Sequence, residues 1–327
     1  MANTGNPKRT AALTKLETDW WIELESTYRA RIAQRKALYA KHGSAVLQWL
    51  PGSELACKEL MEMVVQFICA RYPQYFALSA DRSRLVNRIL GTETVFAEKP
   101  PLLVLLDNVP EDFGVVLRHP ETGVYHFRAG LICSALGWNV ASKIGLKLHE
   151  IHEKIPDYKE KMQFSMDRFF SKMPSSKPIQ RGSWGLEVDQ PLYMPPGDPH
   201  EKLRSYQDPD LARERCHFRV DWQTLRRLPL SGGVVFNFKG LFTPLQEFRD
   251  EPYVPALLHK VLTDGNKEIM KYKGTWHTEH VVLPMLQEFA REQVEKGLVE
   301  AGWEPHTLDQ SPWFPGWEEK WHAQQGF

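Results

Sequence analysis

The sequence predicts an α+β protein whose central sheet is mostly antiparallel. Predicted helices come first along the chain, strands and helices mix in the middle, and helices return at the end. Two strand-like segments, residues 114–118 and 123–131, flank the turn signal Pro120-Glu-Thr-Gly123, which favours an antiparallel hairpin. This order argues against a doubly wound parallel sheet, which requires strands and helices in regular alternation.

The first part of the chain is predicted to be helical after a short disordered tail at residues 1–10. Apolar residues recur every three or four positions over residues 11–41, which predicts a long amphipathic helix. The pair Pro51-Gly52 breaks the pattern. A second helix is expected to begin after Ser53 as its N-cap and to end near Tyr72.

The middle of the chain changes character. Residues 102–106 form a short, continuous apolar run between a proline pair and Asp107-Asn108, which we interpret as a buried strand. Helical patterns return over residues 139–152 and 158–173. Further strands are then expected, with a surface excursion rich in Pro, Gly and Asp at residues 191–209. The expected strands are residues 183–188, 217–228 and 233–239.

The last part of the chain is predicted to be mostly helical, at residues 254–262 and 281–302. Residues 311–327 follow and contain several aromatic side chains beside Pro and Gly. We expect this aromatic tail to pack over the body, because so many exposed aromatic side chains would be costly.

Charge and composition exclude several classes of protein. The chain has 327 residues, with 41 Lys and Arg against 41 Asp and Glu, which argues against binding nucleic acid or an acidic membrane through general electrostatics. No apolar run approaches the roughly 18–20 residues that span a bilayer. The polar start of the chain lacks the apolar segment of a secretory signal. We therefore expect a soluble, cytoplasmic protein.

Common signatures of chemistry are missing. There is no phosphate-binding loop, dinucleotide-binding turn, nucleophile elbow or C-x-x-C-H haem attachment motif. The cysteines form no C-x-x-C pair and are expected to be reduced and buried, rather than to form disulfides or a zinc site. They are Cys57, Cys69, Cys133 and Cys216.

Two histidine pairs have a spacing of three residues. His149 and His152 are at the end of a predicted helix, where a neutral imidazole is able to bind a metal or a haem iron. Spacing alone favours a solvated His149 and a capping His152. His277 and His280 flank Glu279, and these are ligand types of a non-haem iron site. Because Glu279 would point away from a helix face that holds both histidines, a structural role is favoured for this pair.

A polar strand is the more informative feature. Over residues 219–229, alternation sends Val220, Trp222, Thr224 and Leu228 to one face and Arg219, Asp221, Gln223 and Arg227 to the other. Arg226 interrupts the apolar set. The simpler interpretation is a half-buried strand with a solvated outer face. The functional one is a pocket wall, on which a carboxylate recognises an ammonium and arginines bind carboxylates.

Seven blocks resemble the haem-dependent oxidative N-demethylase family, whose best-known member is the haem-bearing α subunit of bacterial dimethylamine demethylase. They occur in the order of the family over about residues 100–275. Val220-Asp-Trp-Gln223, Asn237-Phe-Lys239 and the extended ends resemble a fungal branch. The seven blocks are Lys143-Ile-Gly with Leu148, Ile151-His152 with Ile155-Pro156, Asp167-Arg-Phe-Phe170, Arg181 with Trp184, Gln223-Thr-Leu-Arg-Arg-Leu-Pro229, Gly233-Val-Val-Phe236 and Tyr272-Lys273.

The resemblance implies a PAS-like haem-binding core at residues 99–275, with an antiparallel sheet and a non-covalently bound haem b. It also implies a helical N-terminal region at residues 11–98, and a C-terminal helix and tail packed on the core at residues 276–327. The implied activity is a monooxygenase-type oxidation of a small amine with O₂, which releases formaldehyde. Electrons would come from NAD(P)H through a flavin and iron–sulfur reductase partner.

The resemblance implies cofactor-binding roles residue by residue. His152 is in the Ile-His-x-x-Val-Pro motif of the family, with Ile155 in place of Val, and is the candidate axial ligand of the iron. The face of the haem opposite His152 would remain open for O₂ or substrate. Arg181, Arg226 and Arg227 match arginine positions and would pair with the haem propionates, while Trp184 would form an aromatic wall of the same pocket.

The resemblance also implies that residues of the polar strand at 219–229 bind the substrate. Asp221 stands where the bacterial branch has Glu, and Trp222 where it has Arg, so these two residues are expected to bind the amine. Asp221 would hold the ammonium or help set its protonation state, and Gln223 is grouped with it as catalytic. The two departures leave the identity of the amine open. A non-catalytic PAS-like haem sensor or carrier is the main alternative.

Overall fold

The computed structural model describes residues 14–153 and 155–305, together with residues 316, 319, 320 and 323. The expected tail at residues 1–10 lies outside the described residues, as does most of the aromatic tail at 311–327. Among the described residues, no helix has both the length and the apolar composition required to cross a membrane.

Strands and helices alternate irregularly along the described chain. The strands are β1 (Thr14–Lys15), β2 (Leu47–Trp49), β3 (Phe76–Leu78), β4 (Arg84–Asn87), β5 (Thr92–Val95), β6 (Asp112–Arg118), β7 (Tyr125–Leu131), β8 (Ile179–Val188), β9 (Cys216–Arg227) and β10 (Val234–Pro244). The α-helices are α1 (Tyr28–His42), α2 (Glu54–Arg71), α3 (Pro101–Asn108), α4 (Leu148–Ile151), α5 (Gln163–Lys172), α6 (Val254–Asp264), α7 (Lys267–Lys273) and α8 (Trp276–Glu295).

Seven of the described strands form one antiparallel sheet, in the order β1-β8-β9-β10-β6-β7-β2, and β3, β4 and β5 form a small second sheet. The central strands have the order β7-β6-β10-β9-β8, and α4 and α5 lie between β7 and β8 in the chain. This is the α+β fold, with an antiparallel sheet and flanking helices, that the sequence predicts. The strand order is compatible with a PAS-like sheet.

Several predicted elements are confirmed. The predicted hairpin is β6 and β7, which pair antiparallel. The second helix is α2, which begins directly after Ser53 as N-cap. The three strands expected later in the chain are β8, β9 and β10. The helix expected over 158–173 is a π-helical turn, Tyr158–Met162, followed by α5.

The helix predicted over residues 11–41 is wrong in its first half, because α1 begins only at Tyr28. The adjacent side chains of Trp21 and Ile22 are both buried, an arrangement unsuited to one stripe of an amphipathic helix. Tyr72 Oη donates to the main-chain oxygen of Ile22 at 2.9 Å. Tertiary contacts therefore hold residues 21–24 against the core in an irregular conformation.

The strand predicted at residues 102–106 is also wrong, because this segment belongs to α3. Four of its five apolar side chains at residues 102–106 are buried and Leu103 is partly buried, so periodicity does not distinguish a strand from a buried helix. Pro101 occupies the start of the helix, where its missing N–H costs nothing. Asn108 closes the last turn by donating from Nδ2 to Val104 O at 2.9 Å.

The helix predicted over residues 139–152 is reduced to α4. Gly145 has a φ of 85°, which no α-helix accommodates. Gly145 and Leu146 instead exchange main-chain hydrogen bonds with Phe127 of β7. Near the C-terminus, the helix predicted over 281–302 begins earlier and ends earlier, as α8.

A buried ion pair links α1 to β6. Arg35 Nη1 donates to Asp112 Oδ1 at 2.5 Å, and both side chains are fully buried. Asp112 also accepts the main-chain N–H groups of Cys133 and Ser134 at 2.9 and 2.7 Å. The carboxylate therefore fixes the chain that leaves β7, and Arg35 supplies its neutralising charge.

We predict that Arg35→Leu lowers the free energy of unfolding by about 3–5 kcal/mol, because it leaves a buried carboxylate without its counter-charge. Urea unfolding of the purified protein measures this change. Arg29→Leu, at an exposed position of the same helix, is the matched control and should change stability by less than about 0.5 kcal/mol. Equal stability of the two variants would contradict the prediction.

Candidate functional site

Strand β9 divides the candidate residues between the two faces of the sheet. Its odd-numbered side chains, from Arg219 to Arg227, point to one face, which we call the odd face. Its even-numbered side chains point to the other, which we call the even face. The register extends this division to β8, where Arg181 lies opposite Gln223, and Trp184 opposite Val220. The alternation expected from the sequence is thus observed.

An apolar layer lies against the odd face. Buried side chains from the sheet, α4 and α5 meet in one cluster that includes Leu148, Phe170 and Leu225. Its rim consists of partly exposed apolar side chains, so the layer is not fully closed to solvent. These rim residues are Trp138, Ile144, Ile151, Met166, Phe169, Ile179 and Phe236.

His152 caps α4 with its side chain at the edge of this layer. The Nδ1–H group donates to Leu148 O at 2.7 Å. Because a carbonyl oxygen only accepts, the proton is assigned to Nδ1, and the lone pair of the neutral ring is on Nε2. Burial lowers the pKa of His152 to about 4, so the ring is neutral at pH 7. Within the described residues, no hydrogen bond reaches Nε2.

Arg181 brings a positive charge to the same face. Its Nε donates to Gln223 Oε1 at 2.5 Å, and its charge contributes to the lowered pKa of His152. Burial lowers the pKa of Arg181 itself. No carboxylate in the described part of the chain pairs with this guanidinium. A half-buried cation without an anion is suited to a bound anionic group.

Asp221 is the carboxylate of the odd face. Arg219 donates to its Oδ1 from Nε and Nη2, at 3.0 and 2.9 Å. Arg219 is in turn anchored to Pro191 O, at 2.9 Å from Nη1, and to Ser134 O. The Asp221 side chain is 26% exposed, and its Oδ2 receives no hydrogen bond from the described residues. One oxygen thus fixes the carboxylate, and the other remains open to a ligand.

Arg227 also lies on the odd face, but it holds the fold together. Its Nε donates to Met173 O at 2.6 Å, and its Nη1 to Gly232 O at 2.7 Å. Its Nη2 donates to Phe170 O and to Tyr125 Oη. These bonds tie the end of α5 to the turn after β9, and they occupy the donors that a propionate would require.

Three of the expected site residues lie on the even face, across the sheet from His152. Trp184 stacks on Phe218, with ring centroids 5.6 Å apart. The ring centroids of Trp222 and Trp20 are 6.4 Å apart. Arg226 lies 4.0 Å above the ring of Trp21. The structure therefore separates Trp184, Trp222 and Arg226 from the odd-face group of His152, Arg181, Asp221 and Gln223.

The second histidine pair has structural contacts. His277 Nδ1 donates to Gly274 O and His280 Nε2 to Asp208 O, both at 2.7 Å. Glu279 accepts a hydrogen bond from Thr275 at 2.5 Å. In the described ranges, no group of three or more His, Cys, Asp or Glu side chains is arranged to hold a metal ion. Each ring binds a main-chain carbonyl through one nitrogen, while His277 Nε2 and His280 Nδ1 have no hydrogen-bond partner among the described residues.

Sequence reasoning assigned no role to Lys273, which contacts Trp184 and is also influenced by the charges of Arg181 and Asp221. Its Nζ donates to Trp184 O at 2.9 Å and lies 4.4 Å from the centroid of the Trp184 ring. Burial lowers the pKa of Lys273 to about 8, and the charges of Arg181 and Asp221 act on it. Lys273 belongs to the motif Tyr272-Lys273, which marked the position in the sequence but did not indicate what the side chain contacts.

Two cavities in the described part of the structure lie away from His152. One, of about 10 Å³, is lined by His277, Tyr206 and Arg215 among others. The other, of about 450 Å³, is an open groove beside Pro284 and Glu288 of α8. Neither of these two cavities is lined by a residue of the odd-face group.

We predict that the free energy of unfolding falls as the pH decreases from 6.5 to 4. Burial lowers the pKa of His277 to about 4, so the unfolded chain binds a proton over this range and the folded chain does not. Because a pKa difference of one unit between the folded and unfolded states corresponds to about 1.36 kcal/mol, His277 accounts for roughly 3 kcal/mol of this loss. Urea unfolding at several pH values should show a shallower loss in His277→Leu, and an identical loss would contradict the assignment.

The site can also be compared with known protein families. The model of one family matches residues 12–283 of this chain. That family is described as haem-dependent oxidative N-demethylase, alpha subunit-like. The match covers β1 to β10 and ends within α8, so it includes the odd face, α4 and α5.

Proposed function

The chain belongs to the haem-dependent oxidative N-demethylase, alpha subunit-like family, and on this basis we propose that it binds haem b at the odd face and oxidises a small amine. The observation that carries the proposal is the free Nε2 of His152, on a neutral ring whose proton is fixed on Nδ1. Such an imidazole is ready to bind iron without first losing a proton.

The residues of the odd face fit a haem in their chemistry. His152 would hold the iron, and its hydrogen bond to Leu148 O would orient the ring and increase its basicity. Arg181 would pair with a propionate, since it lacks a carboxylate partner among the described residues. The partly exposed apolar rim would cover the porphyrin. Arg227 is not included, because its donors are used by main-chain carbonyls and Tyr125.

Bound haem would supply the activation of O₂ and the oxidation of the C–H bond beside the amine nitrogen. The chain would bind and orient the amine. Asp221 Oδ2 would accept a hydrogen bond from the ammonium, while Arg219 keeps the carboxylate in place through Oδ1. Gln223 would position Arg181 through the Nε–Oε1 bond. The apolar layer would exclude water from the reacting atoms.

The proposal also covers the product, the source of the electrons and the location of the protein. Oxidative N-demethylation would release formaldehyde, and the electrons would come from NAD(P)H through a flavin and iron–sulfur reductase partner. The protein would act as a soluble, cytoplasmic enzyme. Trp222 is not carried forward as an amine contact, because its ring packs against Trp20 on the even face.

A non-catalytic haem sensor or carrier is the second candidate function. It would use the same haem site at His152 but would have no amine site beside the iron. Small secondary amines distinguish the two functions. A substrate bound near the iron shifts the haem absorption spectrum, whereas a carrier or sensor without an amine site gives no shift.

We predict that His152→Ala lowers the affinity for haem by at least about 100-fold, because it removes the only proposed bond to iron. Titration of the haem-free protein with haem, followed at the Soret band, measures the affinity. His149→Ala is the matched control on the same short helix and should keep the wild-type affinity. An unaltered spectrum and affinity in His152→Ala would remove this residue as the ligand.

We predict that Asp221→Asn weakens the binding of dimethylamine by about 10–100-fold while haem content is unchanged, because a charge-assisted hydrogen bond becomes a neutral one. The amine-induced shift of the haem spectrum gives the dissociation constant. Asp210→Asn, at an exposed position, is the control. If both variants bind the amine equally well, Asp221 is not part of the site.

A further inference from the structure

A tyrosine lies flat against the candidate ligand. The ring of Tyr158 is stacked on the imidazole of His152, with centroids 5.0 Å apart and planes 14° from parallel. The imidazole is thus held from two directions, by this ring and by the hydrogen bond from Nδ1 to Leu148 O. Both contacts restrict the plane of the imidazole.

The backbone that delivers Tyr158 is unusual. Asp157, directly before it, has a φ of 58°, in the left-handed region that residues other than glycine seldom adopt, although Asp does so more readily than most. Tyr158 itself begins a π-helical turn, a conformation that is rare and concentrated at functional sites. Both departures from regular geometry occur where the chain brings this one ring to His152. Such strain is retained where the surrounding structure uses the position.

The hydroxyl group of Tyr158 is buried and has no hydrogen-bond partner among the described residues. The residue as a whole is 3% exposed. A buried hydroxyl without a partner destabilises a protein, and phenylalanine would fill the same space without that cost. Among the described residues, the hydroxyl therefore makes no hydrogen bond that would stabilise the haem-free fold.

We propose that Tyr158 is a positioning residue for His152, with a ring that fixes the plane of the imidazole and a hydroxyl that forms its hydrogen bond only when haem is bound. The inference rests on the proposed function, because it takes His152 as the ligand. It adds a residue that none of the resembling motifs contains. The partner of the hydroxyl is a polar group that the bound cofactor brings or uncovers.

The same apolar layer provides a matched control. Tyr125 is also a buried tyrosine, but its hydroxyl donates to Phe170 O at 3.1 Å and accepts from Arg227 Nη2 at 3.1 Å. Removal of its oxygen should therefore destabilise the haem-free protein, whereas removal of the Tyr158 oxygen should not. For haem retention we expect the reverse: removal of the Tyr158 oxygen should weaken it, and removal of the Tyr125 oxygen should not.

The test compares Tyr158→Phe, Tyr125→Phe and wild type in two measurements. The first is the thermal unfolding midpoint of the haem-free protein, which should fall in Tyr125→Phe and stay equal or rise in Tyr158→Phe. The second is the rate of haem transfer to excess apomyoglobin. This rate should increase by about tenfold in Tyr158→Phe, the effect of one lost hydrogen bond, and remain near wild type in Tyr125→Phe.

A further variant, Tyr158→Leu, removes the stacked ring. It should accelerate haem loss beyond Tyr158→Phe and broaden the spread of g values in the electron paramagnetic resonance spectrum of the ferric haem, because the imidazole plane is no longer restricted. An unchanged rate of haem loss and an unchanged spectrum in Tyr158→Leu would remove the ring from the inference, while the two phenylalanine variants test the hydroxyl independently.

Two results would overturn the inference. One is a midpoint that falls as far in Tyr158→Phe as in Tyr125→Phe, which would show that the Tyr158 hydroxyl is already bonded in the haem-free fold. The other is wild-type haem retention in Tyr158→Phe. Failure of the proposed function would look different, because wild type would then bind no haem or His152→Ala would bind it equally well.

Discussion

The two-residue alternation of β9, held between β8 and β10, is the constraint on which the site depends. Unbroken registers of ten pairs with β8 and eleven with β10 fix which side chains reach each face. A slip of one residue would move Asp221 and Gln223 to the even face and bring Trp222 to the apolar layer. The chemistry of the odd face thus depends on pairing along the whole strand and not only on the residues that a ligand touches.

The two faces serve different purposes. On the even face, Lys239 is buried, donates to Glu23 O at 2.8 Å and lies 3.4 Å from Glu25 Oε1. Such contacts fix the N-terminal segment against the sheet and satisfy their charges within the protein. On the odd face, Arg181 and the Oδ2 of Asp221 lack such partners in the described chain. Arg226 is an exception on the even face, because its buried Nε has no hydrogen-bond partner among the described residues and its guanidinium lies over the ring of Trp21.

The sequence predicted the five central strands of the main sheet, but not its outer strands β1 and β2, the second sheet, or the grouping of the site. Strand alternation correctly placed Arg226 on the apolar side of β9, yet family motifs alone grouped it with Arg181, because a motif does not record which face a residue occupies. The buried run at residues 102–106 was ambiguous, since full burial removes the periodicity that distinguishes helix from strand. Tyr158 was not recognised because its contact with His152 depends on a left-handed Asp157 and a π-helical turn, for which the sequence has no clear pattern.

The central claim is that the Nε2 atom of His152 binds iron at the odd face of the sheet. A crystal structure of the protein loaded with haem tests it most directly. The account predicts electron density for a porphyrin between the odd face and the segment that contains α4 and α5, with iron bonded to His152 and a propionate near Arg181. A porphyrin on the even face, or an iron held by a different side chain, would contradict it.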